Sequence, residues 1–328
     1  MIIDAHAHFV PPAFLDDVAS GRSPFPSVKL AVEDGGFRFA FANNNAKRPV
    51  PPGMSDTEKR RKWLMERGID KQVVGGWLDV FGYDIPAEEG ADWSRFFNEH
   101  LLKGVKPHPF LVPLATVPLQ SGKHAAKVLE EAMDTGFSGA MIGTQPKGTT
   151  GVLDDPDLGP FWEAASRRKA TLFVHPTFGA PDERLTAYGL VSAVGRVTDT
   201  TIAIARLLYS GHLTRYPDVK LVISHGGAAL PMVLGRLRRS FATAPAQNKN
   251  PMEGFKQLYF DTIVYDAATL RFVCEQAGVD KVVMGTDLPL TIAEPEPVTF
   301  IDEAGFSASE RDAILGGTAA KLFGVRSQ

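Results

Sequence analysis

Two histidines, His6 and His8, stand two residues apart at the end of an apolar N-terminal run, Met1-Ile-Ile-Asp-Ala-His-Ala-His8. In extended backbone, residues i and i+2 project to the same side, so both rings can reach a single ion. Taken alone, the pair reads as well as two satisfied polar residues at a strand end. Three other apolar runs end in the same manner: Leu172-Phe-Val-His175, Val222-Ile-Ser-His225 and Met284-Gly-Thr-Asp287. Imidazoles with one carboxylate suit Zn²⁺, or Mn²⁺ as the alternative, with a water completing a catalytic coordination shell. Cysteine ligation is excluded, because Cys274 is the single cysteine, and the same count rules out an intramolecular disulfide. The remaining histidines, His100, His108, His124 and His212, fall inside helical or connecting segments and read as structural or surface residues.

The elements that must position these donors alternate along the chain. Short β-branched or apolar runs occur at residues 2–6, 72–77, 110–116, 139–143, 171–175, 220–224, 258–262 and 281–285. Between them lie segments of helical periodicity, including 57–67, 123–135, 157–168, 198–208, 228–239, 267–277 and 309–322. Such alternation is what a parallel sheet with crossover helices requires, and eight repeats over this length predict a closed (β/α)8 TIM barrel. Each donor then sits at the C-terminal end of its strand, the face on which barrel active sites assemble. Residues 11–55, rich in Pro, Gly and Asn, are too long for an ordinary strand-to-helix loop. They predict an insertion after the first strand that caps the barrel mouth, with 36–41 alternating as a hairpin strand. No interdomain linker or internal repeat interrupts residues 1–328, which read as one domain.

Bulk composition excludes some functions. A chain of 328 residues with 44% hydrophobic content and a formal net charge of −3 has material for a large core and no broad electrostatic pull toward nucleic acid or anionic lipid. A small metabolite is the better partner. The N-terminus lacks the basic flank and sustained apolar region of a secretory signal, and no apolar stretch is long enough to span a membrane, so a soluble cytoplasmic protein is expected.

The motifs resemble the amidohydrolase superfamily, specifically the branch containing 2-amino-3-carboxymuconate-6-semialdehyde decarboxylase and related aromatic-acid decarboxylases. The matching stretches are Ile3-Asp-Ala-His-Ala-His8, Ile142-Gly-Thr144, Leu172-Phe-Val-His-Pro176, Ser224-His-Gly-Gly227, Tyr259-Phe-Asp-Thr262 and Met284-Gly-Thr-Asp-Leu-Pro289, in the family's order along the whole chain. The resemblance implies that His6, His8, His175 and Asp287 ligate one divalent metal, and that His225 activates the water and shuttles protons, with Asp287 sharing in that task. The carboxylated lysine that bridges the binuclear relatives has no counterpart in Met141-Ile-Gly-Thr144, which favours a mononuclear site; Lys147, a few residues on, stays open as an alternative. Relatives hold a substrate carboxylate with a basic residue of the insertion, a role that falls to Arg48 or its neighbour Lys47. Trp77, Phe81 and Phe178 follow the second and fifth strands and are candidates to line the substrate pocket, or simply to pack the insertion down. Homodimers are common among relatives.

Together these features imply metal-dependent nonoxidative decarboxylation of a small aromatic or unsaturated carboxylic acid. On the same site, hydrolysis of a lactone, amide or ring-cleavage product, or hydration of an alkene, is the alternative. A noncatalytic ligand-binding barrel would predict at least one broken ligand position, and none is broken.

Overall fold

The computed structural model describes residues 1–21, 24–33, 36–42 and 48–326. Its strands are β1 (Ile3–His8), β2 (Val28–Glu33), β3 (Gly36–Phe41), β4 (Lys71–Gly75), β5 (Leu111–Pro113), β6 (Gly139–Gly143), β7 (Thr171–His175), β8 (Lys220–Ile223), β9 (Leu258–Asp261) and β10 (Val282–Val283). Its principal helices are α1 (Pro12–Ala19), α2 (Thr57–Glu66), α3 (Ala87–Val105), α4 (Gly122–Asp134), α5 (Gly159–Arg167) and α6 (Arg196–Tyr209). Parallel pairing runs β1-β4-β5 and β6-β7-β8-β9-β10. Two joints close the ring. Ala115 N–H donates to the Gly139 carbonyl at 3.0 Å, and the far end of β1 receives the chain beyond β10, with Ala5 N–H on the Met284 carbonyl and His8 N–H on the Leu288 carbonyl, both at 2.8 Å. The result is the expected eight-stranded barrel.

Local chemistry explains the elements. Thr171-Leu-Phe-Val-His175 is buried throughout, as a parallel strand covered on both faces must be. In α4, Ala125, Val128, Leu129 and Ala132 form the buried stripe at helical spacing. The longest helix, α3, was not among the sequence-predicted ones. Its first turn carries Glu88 and Glu89 behind Pro86, which resembles a loop by composition, yet acids favour the positive end of a helix and proline is tolerated at its entry. The first strand also runs two residues further than expected, so that His8 ends the strand rather than following it.

The insertion contains α1 and an antiparallel β2-β3 hairpin, as the alternation of 36–41 suggested. Phe14, Phe39 and Phe41 pack around Trp93 of α3. Of its described residues, Arg48, Pro49, Pro51, Pro52 and Gly53 line a cleft beside Trp77 and Leu288. Lys47 lies outside the described residues. Among the described residues no helix is long and apolar enough to cross a membrane.

A buried polar relay ties the helix after the insertion to the barrel. The Arg60 guanidinium, 3% exposed, donates to Gln72 Oε1 and to the His8 carbonyl, both at 2.6 Å, while Gln72 Nε2 donates to Asp4 Oδ2 at 2.7 Å. Arg60→Met keeps the apolar stem but leaves the Gln72 oxygen and the His8 carbonyl without their donor. Breaking such a buried set costs about 3–5 kcal/mol, which urea unfolding monitored by circular dichroism will read; a loss below about 1 kcal/mol on the scale of an exposed pair would show that the relay is not structural.

Candidate metal centre and active site

The donors lie where strand geometry places them. His6 and His8 project from β1 into the barrel mouth, fully buried, and His175 ends β7 at 2% exposure. His225 follows β8 and opens a single helical turn, His225–Gly227, while Asp287 follows β10. Both adopt left-handed backbone, with φ of 57° and 64°. For residues other than glycine this costs on the order of 1–3 kcal/mol and persists where the surroundings enforce it. Gly285 allows the approach, because a Cβ there would come within 2.9 Å of the His6 Cβ and 3.2 Å of the Asp261 Cβ.

Asp287 is the hub. Its Oδ1 lies 3.0 Å from His8 Nε2, 3.3 Å from His6 Nε2 and 3.7 Å from His175 Nε2, and its Oδ2 lies 3.6 Å from His225 Nε2. Donor atoms of His6, His175, His225 and Asp287 all fall within 4.8 Å of one another. The structure therefore brings together all five residues that the sequence nominated, in a His/Asp site for one metal ion.

The outer nitrogens settle how the rings are presented. His6 Nδ1 is 2.7 Å from Asp261 Oδ2, His8 Nδ1 is 3.2 Å from the Gly76 carbonyl, and His175 Nδ1 is 3.0 Å from the Pro176 carbonyl. Each of those oxygens only accepts, so each Nδ1 bears the proton and Nε2 is the nitrogen left to face the cluster. His6 Nε2 and His175 Nε2 are buried there without a hydrogen-bond partner. Charge agrees with this reading. Burial would raise the Asp287 carboxyl, yet the imidazoles, His6 foremost, hold it well below the usual carboxylate range. Burial would lower His6, but the Asp287 and Asp261 carboxylates push it up to about 10, so a proton stands in for a cation at the centre. Burial holds His8 below and His175 well below the ordinary imidazole value, which keeps them neutral donors. A divalent ion fits both the orphaned nitrogens and the missing positive charge.

Asp261 is a functional residue to which the sequence reading gave no role, although it falls in the Tyr259-Phe-Asp-Thr262 stretch. Its Oδ2 accepts from His6, and its Oδ1 accepts from Gly226 N–H at 2.8 Å and Ile263 N–H at 3.1 Å. Both oxygens are thus acceptors. In Asp261→Asn one of them becomes an NH₂ that must face either a backbone N–H or His6 Nδ1, and the latter forces the proton onto the His6 nitrogen that faces the cluster. Metal affinity is expected to fall roughly 10- to 100-fold, measured by competition with a chelating indicator; unchanged affinity would remove Asp261 from the orienting role.

A cleft of about 490 Å³ opens over the cluster, lined by His175, Arg196, His225, Met232, Tyr265 and Asp287 among others. Arg48 edges this cleft and the neighbouring one, which holds Trp77. Its guanidinium is bidentate to Asp79, at 2.9 and 3.0 Å, and lies 5.2 Å from the Trp77 ring centre. Phe178 is half-buried and lines neither cleft, and Phe81 is buried in the core. Lys147 is paired elsewhere, with Nζ 2.8 Å from Asp155 and 3.2 Å from Asp157. Arg196 was missed, since a lone arginine in a helical segment carries no signal by spacing.

The Amidohydrolase family model matches residues 3–325. The 2-amino-3-carboxymuconate-6-semialdehyde decarboxylase of Dictyostelium discoideum is 28% identical over 341 residues, covering 98% of this chain and 91% of that protein. Among solved structures, 5-carboxyvanillate decarboxylase from Sphingomonas paucimobilis superposes with a TM-score of 0.82 at 24% identity, covering 99% of both chains. A dihydroxybenzoic acid decarboxylase from a Polaromonas species, solved with bound manganese and 2-nitroresorcinol, has a TM-score of 0.79 at 20% identity over 99% of this chain and 98% of that one. With its barrel, its strand-end histidines and its Asp287 hub, the chain belongs to the amidohydrolase family, in the branch of 2-amino-3-carboxymuconate-6-semialdehyde decarboxylase-like proteins.

Proposed function

We propose that the protein is a metal-dependent nonoxidative decarboxylase of a small aromatic or unsaturated carboxylic acid, with His6, His8, His175 and Asp287 holding the ion and His225 transferring the proton. One observation carries this division of labour. His6, His8 and His175 are almost wholly buried, surround one oxygen of Asp287 and have their outer nitrogens tied, whereas His225 stands on the other oxygen, is 15% exposed to the cleft, and has an Nδ1 with no partner. Three tied rings suit ligands, and an untied ring at the cleft suits proton transfer.

A divalent ion, Zn²⁺ or Mn²⁺, supplies Lewis-acid polarisation of a substrate oxygen when bound. His225 in its imidazolium form gives a proton to the carbon bearing the carboxylate. The bond from that carbon to the carboxylate then breaks, its electron pair restores the conjugated system, and CO₂ leaves. Asp287 Oδ2, 3.6 Å from His225 Nε2, steadies the charged imidazole between turnovers.

The test is CO₂ release, together with metal content, from purified protein offered a panel of hydroxybenzoates and muconate semialdehydes. Metal-dependent CO₂ supports the proposal. Stoichiometric metal with no CO₂ from any member overturns it in favour of hydrolysis or hydration on the same centre.

A further inference from the structure

Arg196 lies on the wall of the cleft that holds the metal centre, where the helical residues Val191–Gly195 run on into α6; among the described residues no carboxylate is in hydrogen-bond contact with its guanidinium, and Asp79 and Asp287 act on it only through their charge. Its Nε is buried with no hydrogen-bond partner. The acid best placed to pair with it along the helix is Asp199, three residues on. That carboxylate is turned inward instead, where Thr144 Oγ1 donates to one oxygen and Gln145 Nε2 donates to the other at 3.0 Å. Arg48, the other guanidinium at the cleft, is neutralised by Asp79. Ala193, Val197, Met232 and Val264 of the cleft lining carry no charge, and its carboxylate, Asp287, is engaged by the imidazoles.

This placement is unfavourable in two ways. Partial removal from water without a partner costs the desolvation of the buried N–H. Burial, and then the positive charge of Arg48, hold the guanidinium below its ordinary range. An anion in the cleft relieves both together, and the planar guanidinium fork matches a carboxylate bidentately.

We propose that Arg196 anchors a second carboxylate of the substrate, one that survives the reaction, so that the cleft selects aromatic or unsaturated diacids over monoacids. The proposal rests on the reading that an acid substrate enters this cleft. Were Arg196 to hold the departing carboxylate, it would stabilise that group in its charged ground state and oppose the loss of CO₂. Holding a retained group supplies binding and orientation without that penalty. The cleft, about 490 Å³, is large enough for a ring bearing two such groups.

The experiment measures binding of isophthalate and of benzoate to the metal-loaded full-length protein by titration calorimetry, alongside KM and kcat on whichever panel acids are turned over. The unmodified protein is expected to bind isophthalate at least about tenfold more tightly than benzoate, the 1.4 kcal/mol scale of one charge-assisted contact. Arg196→Met abolishes the preference with metal content intact, and Arg196→Lys restores part of it. Arg206→Met, further along α6, where the guanidinium pairs with Asp154, leaves it unchanged. If the Met variant does not fold, Arg196→Gln, neutral and polar, gives the same reading. Equal affinity of the unmodified protein for the two acids, or a preference that survives in Arg196→Met, overturns the anchor. A preference that depends on Arg196 without CO₂ release from any acid overturns the decarboxylase reading and leaves the anchor standing. CO₂ release with an unchanged KM for diacids in Arg196→Met overturns the anchor alone.

Discussion

Asp287→Ala is expected to yield a folded protein that retains no divalent metal after dialysis and has no turnover above background. Among the described residues the carboxylate is the one anionic donor facing all four imidazoles, with Oδ1 toward His6, His8 and His175 and Oδ2 toward His225. Its removal takes away a ligand and the negative charge that makes a buried dication tolerable. Removing one member of a buried, mutually compensated set costs about 3–5 kcal/mol, which corresponds to roughly 10²- to 10⁴-fold in metal affinity. Asp287→Asn should lose nearly as much, since the amide keeps an oxygen but loses the charge and turns an NH₂ toward the rings. Metal analysis of the dialysed variants reads the effect directly. Stoichiometric metal in Asp287→Ala would mean that the histidines suffice and that the hub lies elsewhere.

The second large effect separates a ligand from a proton carrier. His225→Asn should keep its metal and lose roughly 10²- to 10⁴-fold in turnover, the usual worth of a positioned acid or base. His225 makes no contact that ties its outer nitrogen, and it is the most exposed of the four rings, so the fold has little to lose with it. Metal content and the rate of CO₂ release, measured on the same preparation, give a two-way answer. Retained metal with lost turnover supports proton transfer. Lost metal would make His225 a ligand in place of His8, a geometry the donor cluster of His6, His175, His225 and Asp287 also permits. Full activity would remove it from the chemistry altogether.

Much of this site is legible along the chain because strand-end position is a local property. Short apolar runs ending in His6, His8, His175, His225 and Asp287 declare both the strand and the end of it, and parallel barrel strands present their C-terminal ends on one face. The hairpin in the insertion is likewise visible in the alternation of 36–41. Elements whose pattern is diluted escaped: α3 hides its buried stripe of Trp93, Phe97 and Leu101 among acids and amides. The substrate side was legible in part. Arg48 does reach the mouth, but its carboxylate partner Asp79, 31 residues away, could not be read from spacing.

By itself the sequence determined the alternating strands and helices, the strand-end donors and the family to which they belong, because period and punctuation are set by near neighbours. Only the tertiary structure decided which partners those donors meet. Asp261 orients His6 across 255 residues, Thr144 and Gln145 draw Asp199 away from Arg196, and His225 is the most exposed of the four rings. Those pairings exist only once β1 closes against the segment after β10, and closure of a ring is a property of the whole chain that no local pattern contains.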